Sequence, residues 1–526
     1  MLESQAAHAL SRENYVELVR RLQTDFLDGV QQNLRCRILT DFRANLRLLF
    51  SKAYTRSQRI GELYEQHLYA RVDDQHSLAR HRKMAEQRIA PHGEPVGTEF
   101  KPRYSNWRRR ARVPILVLNA TSLNSGHTWQ FTARSMGVPH GLLGDSVDIN
   151  ERYRRLYYEQ ATTPELRQIS LGAAVAASSC VPGLFEPLVL ADLYQDRTVR
   201  LVDGGVHDNQ GTGALLDEAC SLILCSDASG QMDDQRDPGD STASVPLRAN
   251  SILMDRVRET QYEDLCERTE SGALDGVLFI HLKQDLETSP LDWLGCDDPS
   301  VAKASCTTTA YGIDRDLQRA LAGMRTDLDA FTEVEAHSLM LSGYLIAEQQ
   351  MISLHTRSDE CGVWANFDIA APRGTWQFRE LEKIVARPAN SGDAQRDDLD
   401  VQIKAASRLF FKAWSLCPGL KMFGIGLGVV IGLLLGLCVA SHWHSPLLSS
   451  VPTVGMVAIA IGTLALVTAY PLLKWLEPKR AMHGIAHKLV LALLGYVVMN
   501  VQVLIIDKMF LRRGKLARLL KLSSGQ

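Results

Sequence analysis

The carboxylate of Asp203 stands where a run of apolar residues meets two glycines, in the sequence Val199-Arg-Leu-Val-Asp203-Gly204-Gly205. The apolar run predicts a buried strand, and the glycines permit a tight turn that brings the backbone close to another group. An acid fixed in such a turn can act as a general base that takes a proton from a hydroxyl. The alternative is an ordinary structural turn, because Asp-Gly pairs are common in turns.

Other hydroxyl and imidazole groups are weaker candidates for chemistry. The segment Gly144–Asp148 superficially resembles the sequence around a nucleophilic serine. It follows no apolar run, however, and predicts a polar loop. Ser178 and Ser179 end an alanine-rich segment, where small residues serve helix packing. His127 and His207 could complete a Ser–His–Asp arrangement, although a hydrogen-bonded structural imidazole is the simpler interpretation for each.

Two further passages carry a specific resemblance. Residues Pro114–Phe131 form an apolar run that ends in small polar residues and continues into an aromatic segment, and Leu171–Phe185 is an alanine-rich stretch followed by Ser-Cys-Val-Pro-Gly. In order, spacing and character, these two passages and the Asp203 turn resemble the bacterial patatin-like phospholipase family. The resemblance is closest over residues 113–282 and does not cover the C-terminal apolar region.

This resemblance implies a patatin-like three-layer α/β domain that cleaves acyl esters of lipids with a Ser–Asp dyad. In such enzymes the serine of a G-x-S-x-G turn attacks, the aspartate of a D-G-G/A turn is its base, and a glycine-rich loop forms the oxyanion hole. Asp203 matches the aspartate, and Gly204 and Gly205 match the site turn. No G-x-S-x-G and no glycine-rich oxyanion loop occur in the 526 residues, so we expect an N-terminally incomplete domain. We expect the chain alone to be inactive, since loss of a serine nucleophile costs on the order of 10⁶ in turnover.

Three functions stay open at this point. The chain could be most of a membrane-anchored lipid acyl hydrolase, a phospholipase or esterase. It could be one half of a split hydrolase whose serine comes from a separate chain, or a non-catalytic lipid-binding or scaffold protein. The expected partners are membrane lipids and the bilayer, and not nucleic acid, because residues 1–421 carry 48 basic and 58 acidic side chains. We expect no cofactor and no metal, since the ten cysteines form no C-x-x-C pair and no Cys/His metal spacing.

The elements that must position Asp203 follow from hydrophobic periodicity. Apolar residues repeat every four positions from Leu18 to Val30 and predict a helix capped at Ser11, and further helices are predicted over Pro246–Arg268 and Asp316–Gln350. Short apolar runs predict strands at Val113–Leu118, Val199–Val202, Leu222–Cys225 and Val277–Leu282. The predicted division is a helical N-terminal part (1–112), an α/β core (113–285), a helical extension (286–400) and a membrane region (401–526).

The membrane region is predicted from charge. Residues 422–473 contain no Asp, Glu, Lys or Arg, and the segments 422–440 and 451–473 are each long enough to cross a bilayer as a helix. They predict a C-terminal α-helical transmembrane hairpin. No secretory signal is visible at the N-terminus, and basic residues flank the hairpin on both sides, so we expect a bacterial inner-membrane protein with its large domain in the cytoplasm.

A third apolar segment, 489–506, contains Asn500 and Gln502 and leads into six basic residues. If this segment crossed the membrane, those basic residues would lie opposite the other basic flanks, against the tendency of Lys and Arg to stay cytoplasmic. We therefore favour an interfacial or re-entrant helix over a third span, with its basic end against anionic headgroups. The basic residues are Lys508, Arg512, Arg513, Lys515, Arg518 and Lys521.

Overall fold

The structure is a computed structural model with mixed α and β content. It describes residues 11–51, 54–69, 114–139, 151–161, 163–228, 232, 234–242, 244–286, 290–300, 306–325, 327–357, 363–366, 375–389, 392–408, 412–417, 419, 422, 426, 429, 433 and 485–522. Its strands are β1 (Val117–Ser122), β2 (Thr128–Thr132), β3 (Ser135–Gly137), β4 (Leu156–Tyr157), β5 (Leu188–Tyr194), β6 (Arg197–Asp203), β7 (Leu222–Asp227) and β8 (Gly276–His281). Its helices are α1 (Arg12–Val30), α2 (Leu34–Arg37), α3 (Phe42–Phe50), α4 (Arg56–Tyr64), α5 (Pro164–Arg167), α6 (Leu171–Ser178), α7 (Thr212–Asp217), α8 (Ser244–Glu270), α9 (Arg315–Ala322), α10 (Glu333–Arg357), α11 (Glu382–Val385), α12 (Ala394–Ala406), α13 (Lys412–Leu416), α14 (Ile485–Val501), α15 (Asp507–Arg513) and α16 (Leu516–Lys521).

Six strands form one antiparallel sheet in the order β4-β3-β2-β1-β6-β5. Short turns join β1 to β2, β2 to β3 and β5 to β6, and such short connections permit only antiparallel pairing. The strand predicted at Val199–Val202 is confirmed within β6, whereas the strand predicted at Val113–Leu118 begins four residues later, at Val117, and runs to Ser122. Their antiparallel pairing is a feature that apolar runs alone do not encode.

The remaining two strands form a separate parallel pair, β7 with β8. Parallel neighbours need a long crossover, and the 27-residue helix α8 lies between them in sequence. The strands predicted at Leu222–Cys225 and Val277–Leu282 and the helix predicted over Pro246–Arg268 are confirmed here.

Helices α4 and α6 pack on the six-stranded sheet. Helix α1 begins where the sequence predicted, because the Ser11 hydroxyl accepts a hydrogen bond from the Asn14 amide at 3.2 Å. Helices α4 and α6 pack closely, and a Cβ on Gly172 would lie 2.3 Å from the Gly61 carbonyl. The core between sheet and helices contains Ile60, Leu63, Trp129, Phe131, Met136, Ala174, Ala177, Leu188, Val199 and Leu201.

A second core lies among helices α9 to α12 and includes the C-terminal α16. It surrounds an ion cluster centred on Arg325, whose guanidinium bonds Asp329 and Glu335 at 2.8 Å each. The side chains of all three residues are almost fully buried, so each charge is balanced inside the protein. The prediction of one or two helices over Asp316–Gln350 is confirmed as two, α9 and α10.

Helix α14 and its continuation lie against α2 and α3. Asn45 donates to the Ala492 carbonyl and Asn500 donates to the Thr40 carbonyl, both at 3.3 Å. Asn33 donates to the buried Asp507 carboxylate at 2.7 Å. The segment 485–522 is therefore fixed to the domain at several points along its length.

Two of the six basic residues that we expected at lipid headgroups form ion pairs within the protein. Arg513 bonds Asp398 at 3.0 Å, and Arg518 bonds the same carboxylate. These two residues sit where α15 and α16 meet α12, because the second core requires α16 to pack there. Contact of this basic end with anionic headgroups stays a prediction.

Within the described residues, one helix, Ala492–Lys521, is long and apolar enough to cross a membrane, and 17% of its most apolar window is buried. Its outer face exposes Leu493, Leu494, Val497, Val498, Val501, Leu504 and Ile505. Of the predicted hairpin, the structure describes Met422, Gly426, Val429 and Leu433 as helical, and the rest lies outside the described residues.

Candidate functional site

The backbone of Asp203 is fixed from two sides at the end of β6. Ala120 of β1 pairs with Asp203, and the Thr121 hydroxyl donates to the Asp203 carbonyl at 2.9 Å. The Asp203 amide donates to the carbonyl of Cys180, just beyond α6, at 3.1 Å. These hydrogen bonds fix the backbone of Asp203, and so they restrict the direction in which its side chain leaves the strand.

The turn after Asp203 is a single 3-10 turn, Gly204–Val206. One oxygen of the Asp203 carboxylate, Oδ1, accepts a hydrogen bond from the Gly205 amide at 2.7 Å and so caps this turn. A Cβ on Gly204 would lie 2.5 Å from the carbonyl oxygen of Asn119, and one on Gly205 would lie 2.7 Å from the side-chain oxygen of Asn209. Close approach to backbone requires glycine at position 204, whereas the atom near Gly205 belongs to a side chain; neither glycine has a positive φ.

The Asp203 carboxylate is partly buried. Burial raises the pKa of Asp203 above its ordinary value, and the hydrogen bond from Gly205 opposes the shift. Within the described part of the chain, the Gly205 amide is the one donor to this carboxylate. An aspartate in this state holds a proton more readily than one in water.

Two hydroxyl groups that lie near this carboxylate come from different helices. The Tyr64 hydroxyl at the end of α4 and the Ser179 hydroxyl after α6 are 3.0 Å apart. Burial raises the pKa of Tyr64, and the negative charge of Asp203 adds to the shift. Ser179 also donates to the Val175 carbonyl at 3.0 Å, so its hydroxyl is bonded to the last turn of α6. Tyr64 gave no signal in the sequence because it lies in a polar helical stretch.

The two histidines occupy different environments. His207 is exposed, and its Nδ1 lies 2.7 Å from the Thr128 hydroxyl, whereas His127 is buried. The neighbouring Asp208 accepts bonds from the amides of Thr212 and Gly213 at 3.1 Å each, which satisfies the start of α7. These contacts are structural. Asp208 caps the start of α7, whereas Asp203 does not cap an α-helix.

One sequence candidate, the Gly144–Asp148 segment, lies outside the described residues. Among the residues that the structure describes, no group of three or more His, Cys, Asp or Glu is placed to hold a metal ion.

Comparison with known proteins gives no relative for this chain: no family model, no curated protein and no solved structure matches it. The argument for function therefore rests on the chain's own residues and geometry.

Proposed function

We propose that this chain is part of a membrane-anchored patatin-like lipid acyl hydrolase, a phospholipase or esterase of the Ser–Asp dyad type, with Asp203 as its general base. One observation carries the proposal: a strand-end carboxylate with a fixed backbone, partial burial and a raised pKa. A base is most efficient when its pKa lies near the working pH, and burial moves the pKa of an aspartate in that direction. The Ser–Asp chemistry and the three-layer fold come from the resemblance.

The proposed reaction uses a serine hydroxyl from a G-x-S-x-G segment that this sequence does not contain. The serine oxygen attacks the acyl carbon of a membrane lipid ester while its proton passes to Asp203. Asp203 returns the proton to the leaving alcohol as the ester bond breaks, and water then cleaves the acyl-serine by the same route. The serine can come from a longer form of the chain or from a separate polypeptide.

We propose that the protein sits in a bacterial inner membrane with its large domain in the cytoplasm. The uncharged stretch 422–473 and the apolar outer face of Ala492–Lys521 support membrane attachment. Lys421 and Lys474 stand at the two ends of the uncharged stretch, which fits a hairpin with both ends on the cytoplasmic side.

We propose that α14 lies in the membrane interface and does not cross the bilayer. Its inner face is bonded to Thr40 and Asn45 and packs Tyr496 on Phe42, with ring centroids 6.2 Å apart. Helix α3 also carries Arg43 and Arg47, so a bilayer-crossing α14 would take charged residues into the hydrocarbon layer. An interfacial position covers the apolar outer face with lipid and leaves α3 in water.

The first test is to translate the DNA immediately upstream of the Met1 codon. An in-frame G-x-S-x-G within about a hundred codons supports a longer hydrolase, and a neighbouring short reading frame that carries it supports a split enzyme. The completed protein, placed in phospholipid vesicles, is expected to release fatty acid from ester lipids.

Asp203→Asn in that completed protein is expected to lower hydrolysis by about 10²- to 10⁴-fold, because an amide cannot take the serine proton. The amide oxygen can still accept the bond from Gly205, so the turn should persist. Asp192→Asn is the matched control, since Asp192 is exposed and its positive φ of 57° suits asparagine. Full activity in Asp203→Asn would exclude Asp203 as the base.

A non-catalytic lipid-binding or scaffold protein is the alternative, and two observations favour it. The Asp203 carboxylate already has a structural task in capping the Gly204–Val206 turn, and the Tyr64 and Ser179 hydroxyls are bonded to each other. If no upstream or neighbouring frame carries the serine motif, and the full chain binds vesicles without hydrolysing them, this alternative is the function.

A further inference from the structure

Residues 290–300, which follow β8 along the chain, form a loop with an exposed apolar tip. The three most exposed large apolar side chains in the described part of the chain belong to this loop: Leu294 is 103% exposed, Leu291 96% and Trp293 74%. Single exposed apolar residues are ordinary on protein surfaces, but three large ones within four positions form a patch, and such patches mark contact sites. We call Leu291, Trp293 and Leu294 the apolar tip.

The loop is closed by its own hydrogen bonds. The Ser300 amide donates to the Asp292 carboxylate at 3.0 Å, and the Ser300 hydroxyl lies 3.0 Å from the same oxygen. The Cys296 amide donates to the Trp293 carbonyl at 3.1 Å, and Gly295 makes the turn between them with a φ of 80°. The side chains of the apolar tip therefore project from a loop that is already folded, so a contact there costs little ordering.

The base of the loop is connected to the C-terminal segment that we place at the bilayer. Asp285, just before the loop, pairs with Arg315 of α9 at 3.5 Å. Asp314, at the start of the same helix, pairs with Arg396 of α12 at 2.8 Å. Helix α12 is in turn ion-paired to α15 and α16. The loop thus extends from the same group of helices that carries the proposed membrane contact of segment 485–522.

The charge of the loop is strongly acidic. Residues 284–302 contain no Lys or Arg, and Asp297 and Asp298 are exposed beside the apolar tip. Anionic headgroups repel such a loop over about 8–10 Å at physiological salt, whereas zwitterionic headgroups carry no net charge and do not. The acidic residues of this stretch are Asp285, Glu287, Asp292, Asp297 and Asp298.

The apolar tip is too small to hold a protein partner by itself. A buried tryptophan contributes about 150–250 Å² of contact area and a leucine less, whereas each side of a specific protein interface buries about 800 Å². A bilayer sets no such minimum for a chain that is already attached to it, because the second contact is then intramolecular. Tryptophan is also enriched where membrane and water meet, since its ring is apolar and its indole N–H can bond to headgroups.

We propose that residues 290–300 are a second membrane contact of the large domain, in which Leu291, Trp293 and Leu294 enter the interface of a zwitterionic phospholipid bilayer. The Asp292 carboxylate stays bonded to Ser300, and Asp297 and Asp298 remain at the headgroups. The contact holds the large domain against the membrane surface. This inference rests on the proposed membrane attachment, and it is independent of Asp203 and of hydrolysis.

The test is photo-crosslinking of the full-length chain in phosphatidylcholine nanodiscs, with p-benzoylphenylalanine in place of Leu294 and lipid adducts counted by mass spectrometry. The same label in place of Leu253 on α8 is the matched control, because Leu253 is also a large apolar residue and is 65% exposed. The label in place of Val498 reports attachment of α14. We expect lipid adducts at positions 294 and 498, each at least about fivefold above position 253.

The three positions separate the possible failures. Lipid adducts at position 498, with position 294 no higher than position 253, overturn the loop contact and leave the attachment of α14 standing. A crosslink from position 294 to another protein chain in place of lipid overturns the proposal and makes the loop a protein-docking site. The absence of lipid adducts at both 294 and 498 overturns the loop contact together with the proposed attachment.

Lipid composition tests the role of the acidic residues. Replacing half of the phosphatidylcholine with phosphatidylglycerol at low salt should lower the lipid adducts at position 294 severalfold, because the anionic surface repels the loop. The double change Asp297→Asn and Asp298→Asn should restore them, since it removes both exposed charges beside the apolar tip. An adduct yield that is unchanged or higher with phosphatidylglycerol overturns the preference for zwitterionic lipid.

Discussion

Replacing Gly204 with alanine tests whether the close approach of its turn to β1 holds the Asp203 carboxylate in place. The added Cβ would lie 2.5 Å from the Asn119 carbonyl oxygen and 3.0 Å from the Asn119 carbonyl carbon. Real Cβ atoms essentially never show contacts below 3.0 Å, so the turn and the strand must separate by at least 0.5 Å, the difference between 3.0 and 2.5 Å. The opposing atoms are backbone in the middle of a sheet and cannot rotate away.

The size of the effect follows from this geometry. Forcing an extra methyl into a packed site costs about 1–3 kcal/mol, and the rigid neighbour places Gly204→Ala in the middle of that range or above it. A cost of about 2 kcal/mol raises the opening equilibrium of the surrounding backbone about 30-fold. The amides of β1 and β6 next to the turn should therefore exchange hydrogen about 30-fold faster.

Hydrogen exchange with mass spectrometry, on the full-length chain in nanodiscs, measures this directly. Gly323→Ala is the matched control, because a Cβ there would be 3.5 Å from its nearest neighbour, an ordinary contact. The control should leave exchange in β1 and β6 unchanged. If Gly204→Ala also leaves it unchanged, the strand and turn are not in the contact described, and the argument that the glycine positions Asp203 is wrong.

Three other predictions concern charge and the membrane. Arg325→Met removes the cation bonded to the buried Glu335 and one of the two cations bonded to the buried Asp329, the other being Lys412. The change should destabilise the protein by about 3–5 kcal/mol, read as a lower denaturation midpoint, and a change below about 1 kcal/mol would contradict a buried cluster. Burial lowers the pKa of His337, so as the pH falls the unfolded state binds a proton at a higher pH than the folded state does. The free energy of unfolding should therefore fall as the pH drops through 6.5, and His337→Leu should reduce that loss between about pH 7 and 5. An unaltered pH dependence in His337→Leu would contradict this role of His337. Brominated lipid should quench the tryptophan fluorescence of Val498→Trp, on the outer face of α14, but not that of Ile252→Trp on α8. The two positions are matched in exposure, with Val498 49% and Ile252 48% exposed. Equal quenching of both variants would refute the interfacial position.

Local patterns in the sequence were sufficient for several helices and strands and for the position of the candidate base. The helix that begins after Ser11, strands β7 and β8, and the Asp203 turn are found where periodicity and capping predict them. These features depend on neighbours within a few positions, because side-chain spacing and caps act along one element. The sequence predicted a tight turn at Gly204 and Gly205, but it could not say that Gly204 lies against the Asn119 backbone and Gly205 against the Asn209 side chain.

What the sequence by itself determined is a carboxylate at the end of a strand and an uncharged stretch long enough for a membrane. Only the tertiary structure decided that the strands around Asp203 run antiparallel, that Tyr64 meets Ser179, and that Asn33 holds Asp507 from 474 residues away. A cavity beside Gly343 likewise exists only because α10 packs across the ends of two strands. Such contacts join residues that share no local pattern, and they form when separate apolar surfaces find one arrangement that buries them together and leaves the polar groups bonded.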